Sequence, residues 1–421
     1  MRRHSDMSGG EPFFYHRLDN GLQVVVEAMP HTESAAAGFL IRAGSRDEQP
    51  SMAGASHFIE HMSFKGTAKR SCRDINVGFD QMGAYYNAYT SKDRTFYFGW
   101  VRKGDIADQI ELLADMMQST FPPDEFDTEK KVILEEIAMA HDRLEDHIYD
   151  LLHEKLWPSH PLSWPVLGSR ETVEPMTREH LLDYWRGRYS PRNMVLIVAG
   201  HVEPEEVVEA AQRFCGQWRD VGEPPARRSP PSPKEGTAVQ QIDRFTQQGV
   251  AAVFAAPSAV DPQQEVARAA ASILGGQNSR FYWRIVQEGV APRASAWWLD
   301  YQDCGLLALF GLCQPDKAEA LTEAVQREAA LMSTEGVSEH EVQRVKNRRR
   351  TALAAEGESP HYRLGQMAED IDYRGRARTV EQRLAAVDAV TVEAIGQYLR
   401  RWPITRQGYF VSVGPRDWPS I

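Results

Sequence analysis

Residues 56–67 read SHFIEHMSFKGT, and the middle of that stretch governs how the rest of the chain is read. His57 and His61 stand four apart. That spacing places two side chains on one face of an α-helix, one above the other, with a rise of ~6 Å. Two imidazoles so placed can share one zinc ion. Glu60, three residues after His57, points the same way, beside the metal position rather than on it. That is where a general base for an activated water belongs. Met52, Phe58, Met62 and Phe64 make the surroundings apolar, so three ionisable side chains are costly to bury there without a shared partner. The order HxxEH inverts the HExxH zinc motif. The pattern predicts a helix over 51–64, with Ser51 as its N-cap.

Two histidines leave a zinc site incomplete. The next candidate segment is 129–139, EKKVILEEIAM, whose apolar residues recur at helical spacing. Glu129 and Glu136 are seven apart and share a face two turns from each other. The spacing leaves both Glu135 and Glu136 open as the third ligand.

Outward from this motif the chain mixes strands and helices. LQVVVEA (22–28) and residues 35–41 are short apolar runs rich in β-branched residues, read as strands. A strand is expected near 85–101, and helices over about 104–118, 124–155 and 177–189. NMVLIVA (193–199) reads as a buried strand, with a helix after Pro204. Residues 221–236, VGEPPARRSPPSPKEG, hold five prolines and read as a linker. The expected domains are therefore 12–220 and 237–421. The second opens like the first, with a strand over 249–255 and a helix over 262–274. Both AAAGFLIRAGSRDEQPSMAGASHF and GVAAVFAAPSAVDPQQEVARAAAS read as strand, small-residue turn, acidic segment and helix. The expected fold class is α+β, built from a duplicated unit.

Composition narrows the function. The chain has 421 residues, with 48 Lys and Arg against 59 Asp and Glu, a net charge of −11. An acidic chain of this kind is repelled by phosphate backbones, so no nucleic-acid partner is expected. Arg348-Arg349-Arg350 lies in a mixed-charge stretch and reads as a solvated helix face. Cys72, Cys215, Cys304 and Cys313 are scattered, which suits a reducing, cytoplasmic location and gives no thiolate metal site. The opening MRRHSDMSGGEPFFYHRLDNG has no apolar core of the kind a secretory signal carries. No run approaches the ~20 apolar residues of a membrane helix, so no membrane partner is expected.

The residues in 56–67 resemble the zinc-helix signature of the pitrilysin/insulysin family of metallopeptidases, which includes the mitochondrial processing peptidase. The likeness extends over nearly the whole chain. That family places its third zinc ligand in a segment like E-x-x-V-I-x-x-E, which implies Glu136 as ligand here and Glu129 as a glutamate supporting the ligand shell. Asn87-Ala88-Tyr89-Thr90-Ser91 resembles the family's edge strand, which binds substrate. Gly200-His201-Val202-Glu203-Pro204, Glu358-Ser359-Pro360 with Arg363, and Ala389-Val390-Thr391 also fit the family's habits.

The resemblance implies two related domains, each a mostly antiparallel sheet with helices packed on one side. It implies one zinc per chain and peptide substrates. It also implies that the chain is half of a clamshell, a homodimer or a heterodimer with a homologous subunit. In the family's C-terminal domain a pattern like S-R-L-F, I-R-E and G-L-x-Y supplies an Arg and a Tyr to the substrate. Ser279-Arg280-Phe281-Tyr282 fits its opening, but Val286 stands where the Arg is expected and Pro292 where the Tyr is expected. Tyr282, Arg284 or Arg293 would substitute, or a homologous partner would supply the pair, leaving this chain inactive alone. A non-catalytic scaffolding member is the remaining alternative.

Overall fold

A computed structural model describes residues 12–405 and 408–418. Residues 1–11 of the opening segment read against a secretory signal lie outside them. The chain forms two compact units. One comprises residues 12–137, 165–227 and 354–380; the other comprises 138–164, 228–353, 381–405 and 408–418.

The first unit holds a six-stranded sheet. Its strands are β1 (Phe13–Arg17), β2 (Gln23–Ala28), β3 (Ser34–Ile41), β4 (Tyr85–Thr90), β5 (Thr95–Arg102) and β6 (Met194–Gly200). They lie in the order β1-β2-β6-β3-β5-β4, and only β2 and β6 run parallel. The second unit holds β7 (Gly236–Gln241), β8 (Gln248–Ala256), β9 (Arg293–Asp300), β10 (Gly305–Cys313) and β11 (Tyr409–Gly414) in the order β7-β11-β8-β10-β9. Only β7 and β11 run parallel there. Taking β2 to β6 and β7 to β11 in chain order, the two pairing patterns are identical. This is the α+β duplication expected from the sequence.

The apolar runs explain the layers. In the first unit β3 (SAAAGFLI) and β6 (MVLIVAG) are buried along almost their whole length. Strands covered on both faces lose the period-2 alternation and read as continuous apolar runs. One face packs on the helices α1 (Ala55–Ser63), α2 (Cys72–Met82), α3 (Ile106–Met116) and α4 (Pro123–His141) through Phe39, Phe58, Phe79, Leu113 and Ile133. A single helix, Pro360–Arg374, covers the other face, with Leu364, Met367 and Ile371 against Val25, Leu40, Val195 and Ile197. The second unit follows the same scheme. There α5 (Leu144–Leu156) lays Leu144, Ile148 and Leu152 on Ala251, Val253 and Val411. Each sheet thus has one extra helix, drawn from the opposite half of the sequence.

Several local expectations change. The strand expected near 85–101 is a hairpin, closed by a turn at 91–94 in which the Ser91 N–H donates to the Arg94 carbonyl at 2.8 Å. The single helix expected over 124–155 is broken at Arg143, which is extended at φ −96°, ψ 119°. Helix α2 is not among the elements the sequence pattern predicts; Ser71 caps it and Asp74 returns the hydrogen bond, a capping box. Ser51 is not the cap of the zinc-motif helix. That helix starts after Gly54, at φ +97°, where an added Cβ would lie 2.6 Å from the Leu167 carbonyl oxygen. The proline-rich stretch holds no helix or strand before Gly236. Its Arg227 forms a two-pronged pair with Asp47, at 3.0 and 2.8 Å.

Candidate metal centre

Helix α1 carries HFIEH with its apolar side chains, Phe58, Ile59 and Met62, fully buried against the sheet. The opposite face presents His57, Glu60 and His61. A buried carboxylate fixes the start of this helix. Glu48 accepts the N–H groups of Gly54 at 2.8 Å and Ser56 at 2.6 Å, two donors that a helix N-terminus leaves unpaired. Burial pushes the Glu48 carboxyl up to about 8, against the pull of those donors. No sequence pattern marks this role, because a glutamate in a turn becomes a cap only once the chain closes around it.

Helix α4 brings in the third donor. Ligand atoms of His57, His61 and Glu136 all lie within 4.8 Å of one another. The two Nε2 atoms are 3.2 Å apart, and Glu136 Oε2 is 3.8 Å from that of His57 and 3.7 Å from that of His61. Glu136, rather than Glu135, is the glutamate in this cluster. Glu129, one α4 face-repeat earlier, lies 2.7 Å from His61 Nδ1 and 2.6 Å from Lys65 Nζ.

This donor set fits a zinc ion. With Nδ1 of His61 donating to Glu129, its Nε2 lone pair is left to accept from His57 Nε2 or to bind a cation, while the buried His57 Nδ1 has no hydrogen-bond partner. Burial, then the neighbouring His61, pushes His57 down to about 3, which keeps its imidazole neutral and able to ligate. At His61 burial opposes the charged form. The Glu129 hydrogen bond and the nearby carboxylates outweigh it, and the pKa is raised. At Glu129 burial raises the pKa, but the hydrogen bonds from His61 and Lys65 prevail and lower it.

Glu60 sits beside the cluster and is not part of it. Thr90, at the end of β4, donates its hydroxyl to Glu60 Oε2 at 2.5 Å. The β4–β5 turn behind Thr90 is firmly held. The Ser45 and Arg46 N–H groups donate to the Ser91 and Lys92 carbonyls at 3.0 and 3.1 Å, and Arg46 pairs with Asp93 at 2.8 Å. The fully buried Tyr97 lies under α1, where Ser63 donates to its hydroxyl at 3.1 Å.

Strand β4 ends the sheet, and among the described strands its outer edge is unpaired. Asn87, Ala88, Tyr89 and Thr90 lie on it and Ser91 opens the turn. Its sequence, YYNAYT, carries no charge and no proline, the usual devices that blunt an edge against further pairing.

Tyr282, Arg284 and Arg293 belong to the second unit. Tyr282 opens a π-helical turn over Tyr282–Val286, and its hydroxyl accepts from Gln287 at 2.7 Å. Arg284 lies 3.6 Å from Glu288, and Arg293 pairs with Glu145 at 2.7 Å. Helix Gln264–Gly275 follows β8 as α1 follows β3, but its sequence, QEVARAAASILG, has no histidine. No metal donor set recurs there.

A duplicated α+β chain with a two-histidine, one-glutamate donor set on its first helices has the build of a metallopeptidase. The description Insulinase (Peptidase family M16) matches residues 23–170, and Peptidase M16 inactive domain matches 175–349. An uncharacterized zinc protease of Mycobacterium leprae is 30% identical over 404 residues, covering 94% of this chain and 91% of its own. One from Bacillus subtilis is 28% identical over 389 residues, covering 92% and 94%. In fold, the chain is similar to a protease from Helicobacter pylori, with a TM-score of 0.90 at 22% identity over 95% of this chain and 99% of that one. It is also similar to a peptidase M16 inactive domain from Pseudomonas fluorescens, with a TM-score of 0.88 at 18% identity over 96% and 97%. The chain belongs to peptidase family M16, the insulinase-like peptidases. Among the described residues, no helix is long and apolar enough to cross a membrane.

Proposed function

We propose that this chain is a zinc-dependent endopeptidase that hydrolyses peptide bonds in unfolded peptides or flexible protein termini, working as half of a dimeric clamshell. The observation that carries the reading is the convergence of His57, His61 and Glu136 within 4.8 Å, with Glu60 on the same helix as the two histidines. His57, His61 and Glu136 would hold the zinc, which supplies an activated water and polarises the scissile carbonyl. Glu60 accepts the proton of the attacking water and delivers one to the leaving amine. Thr90 orients the Glu60 carboxylate, and Glu129 fixes the His61 ring through Nδ1. The peptide is held extended along the free edge of β4, at Asn87, Ala88, Tyr89, Thr90 and Ser91. Main-chain pairing there tolerates many sequences.

Among the described residues of the second unit no cluster of metal donors is found, in keeping with the inactive-domain match. A homologous partner is the proposed source of the Arg and Tyr that Val286 and Pro292 replace in this chain. Two measurements on purified chain test the proposal: mass spectrometry of products from a mixture of unstructured peptides, and the same assay with a zinc chelator. Internal cleavage that stops with the chelator and returns with zinc is expected, from the chain alone or after its homologue is added. Cleavage indifferent to the chelator would overturn it.

A further inference from the structure

The two faces of β4 differ. Tyr86 stacks on Phe79 of α2 at 3.9 Å and 12°, and Thr90 reaches Glu60, so Tyr86, Ala88 and Thr90 belong to the face that carries the metal donors. Tyr85, Asn87 and Tyr89 alternate with them and point to the other face. There Tyr85 lies flat on Trp100, at 3.9 Å and 20°, and Trp100 meets His361 at 4.0 Å. His361 also stacks on Phe98, at 5.6 Å and 27°, and neighbours Tyr362 at 5.1 Å. Tyr89 sets its edge on Phe98 at 6.3 Å. Helix Pro360–Arg374 contributes His361 and Tyr362 in its first turn. The result is a continuous aromatic ledge directly beside an unpaired strand edge.

The ledge is not buried. Tyr85 is 50% exposed, Tyr89 39% and Tyr362 56%. Three large aromatic side chains left in water at one place mark a contact surface more often than an accident of packing. A peptide added to β4 turns every second side chain toward this face. The occupant is therefore set by continuity with the strand edge: the outward-facing side chains of the peptide itself.

We propose that this ledge is a side-chain subsite, which selects peptides carrying a large apolar or aromatic residue remote from the scissile bond. The inference rests on the strand-addition reading of β4. Tyr85 precedes Thr90 by five positions, about 17 Å at ~3.4 Å per residue. The favoured residue thus lies about five positions from the cleaved bond and on the opposite side of the strand from the metal donors. Offset stacking on a flat ring pair such as Tyr85 and Trp100 suits a Phe, Tyr or Trp side chain.

The test uses the full chain, with its homologue where one is needed, and an alanine-rich host peptide cut at one bond. A single Phe is walked along the peptide, and in a second series a single backbone N-methyl group is walked along it. The expected result is a kcat/KM about tenfold higher with Phe at one or two ledge-facing positions, two residues apart, and no gain between them. In Tyr85→Ala and Tyr362→Ala the ratio of Phe to Ala peptide falls toward one, and Tyr362→Phe restores it. A flat Phe series alongside an alternating N-methyl series would overturn the ledge and leave strand addition standing. A flat N-methyl series would overturn strand addition and the ledge with it. A Phe advantage unchanged in both alanine variants would also reject the ledge.

Discussion

Replacing Glu60 by Gln is expected to lower kcat/KM for peptide hydrolysis by about 10²–10⁴-fold while zinc stays bound. Glutamine keeps the length of the side chain and an oxygen that can accept from the Thr90 hydroxyl, now at 2.5 Å. It cannot accept a proton. Burial raises the Glu60 pKa, opposed by the Thr90 hydrogen bond and the His61 charge. Glu60 lies outside the cluster formed by His57, His61 and Glu136, so metal content is expected to be unchanged. The measurement is peptide turnover beside elemental analysis on the same preparation. A Gln variant as active as the parent would remove Glu60 from the mechanism.

The second large effect is on stability. Arg363 is fully buried and reaches Glu27 of β2 through two bonds of 2.8 and 3.0 Å, with a further bond to Gln366 at 2.5 Å. This pair pins helix Pro360–Arg374 to the far face of the first sheet. Arg363→Ala leaves the Glu27 carboxylate, 8% exposed, without its partner. The expected cost is about 3–5 kcal/mol, or roughly a 10 °C fall in the unfolding midpoint of that unit. Removing both charges, with Glu27→Gln and Arg363→Met together, is expected to cost less than Arg363→Ala alone, because no unpaired charge remains. Chemical denaturation of the three proteins measures this. An Arg363→Ala variant within about 1 kcal/mol of the parent would show that the pair is not a structural tie.

The chemistry was more legible in the sequence than the architecture around it. His57, Glu60 and His61 lie within one and a half helical turns, so their geometry follows from local spacing. Glu136 needed the resemblance, because helical spacing cannot tell which of two adjacent glutamates faces a second helix. The hairpin at 85–102 read as one strand because YYNAYT and TFYFGWVR are both rich in β-formers. Its turn is set by long-range bonds from Ser45 and Arg46. Helices Leu144–Leu156 and Pro360–Arg374 each show an apolar face. Nothing in such a pattern says which sheet that face will cover, and each covers the sheet of the opposite half of the sequence. The buried cap at Glu48 was hidden for the same reason: its partners are backbone groups, which leave no mark in sequence.

The most direct test of the account is zinc content, which depends on neither substrate nor partner. Elemental analysis of the purified chain, beside a His57→Ala/His61→Ala variant shown by circular dichroism to be folded, is expected to give about one zinc per chain in the parent and close to none in the variant. A parent chain that takes up no zinc, or a variant that binds it as well as the parent, would contradict the assignment of His57, His61 and Glu136 as a metal centre.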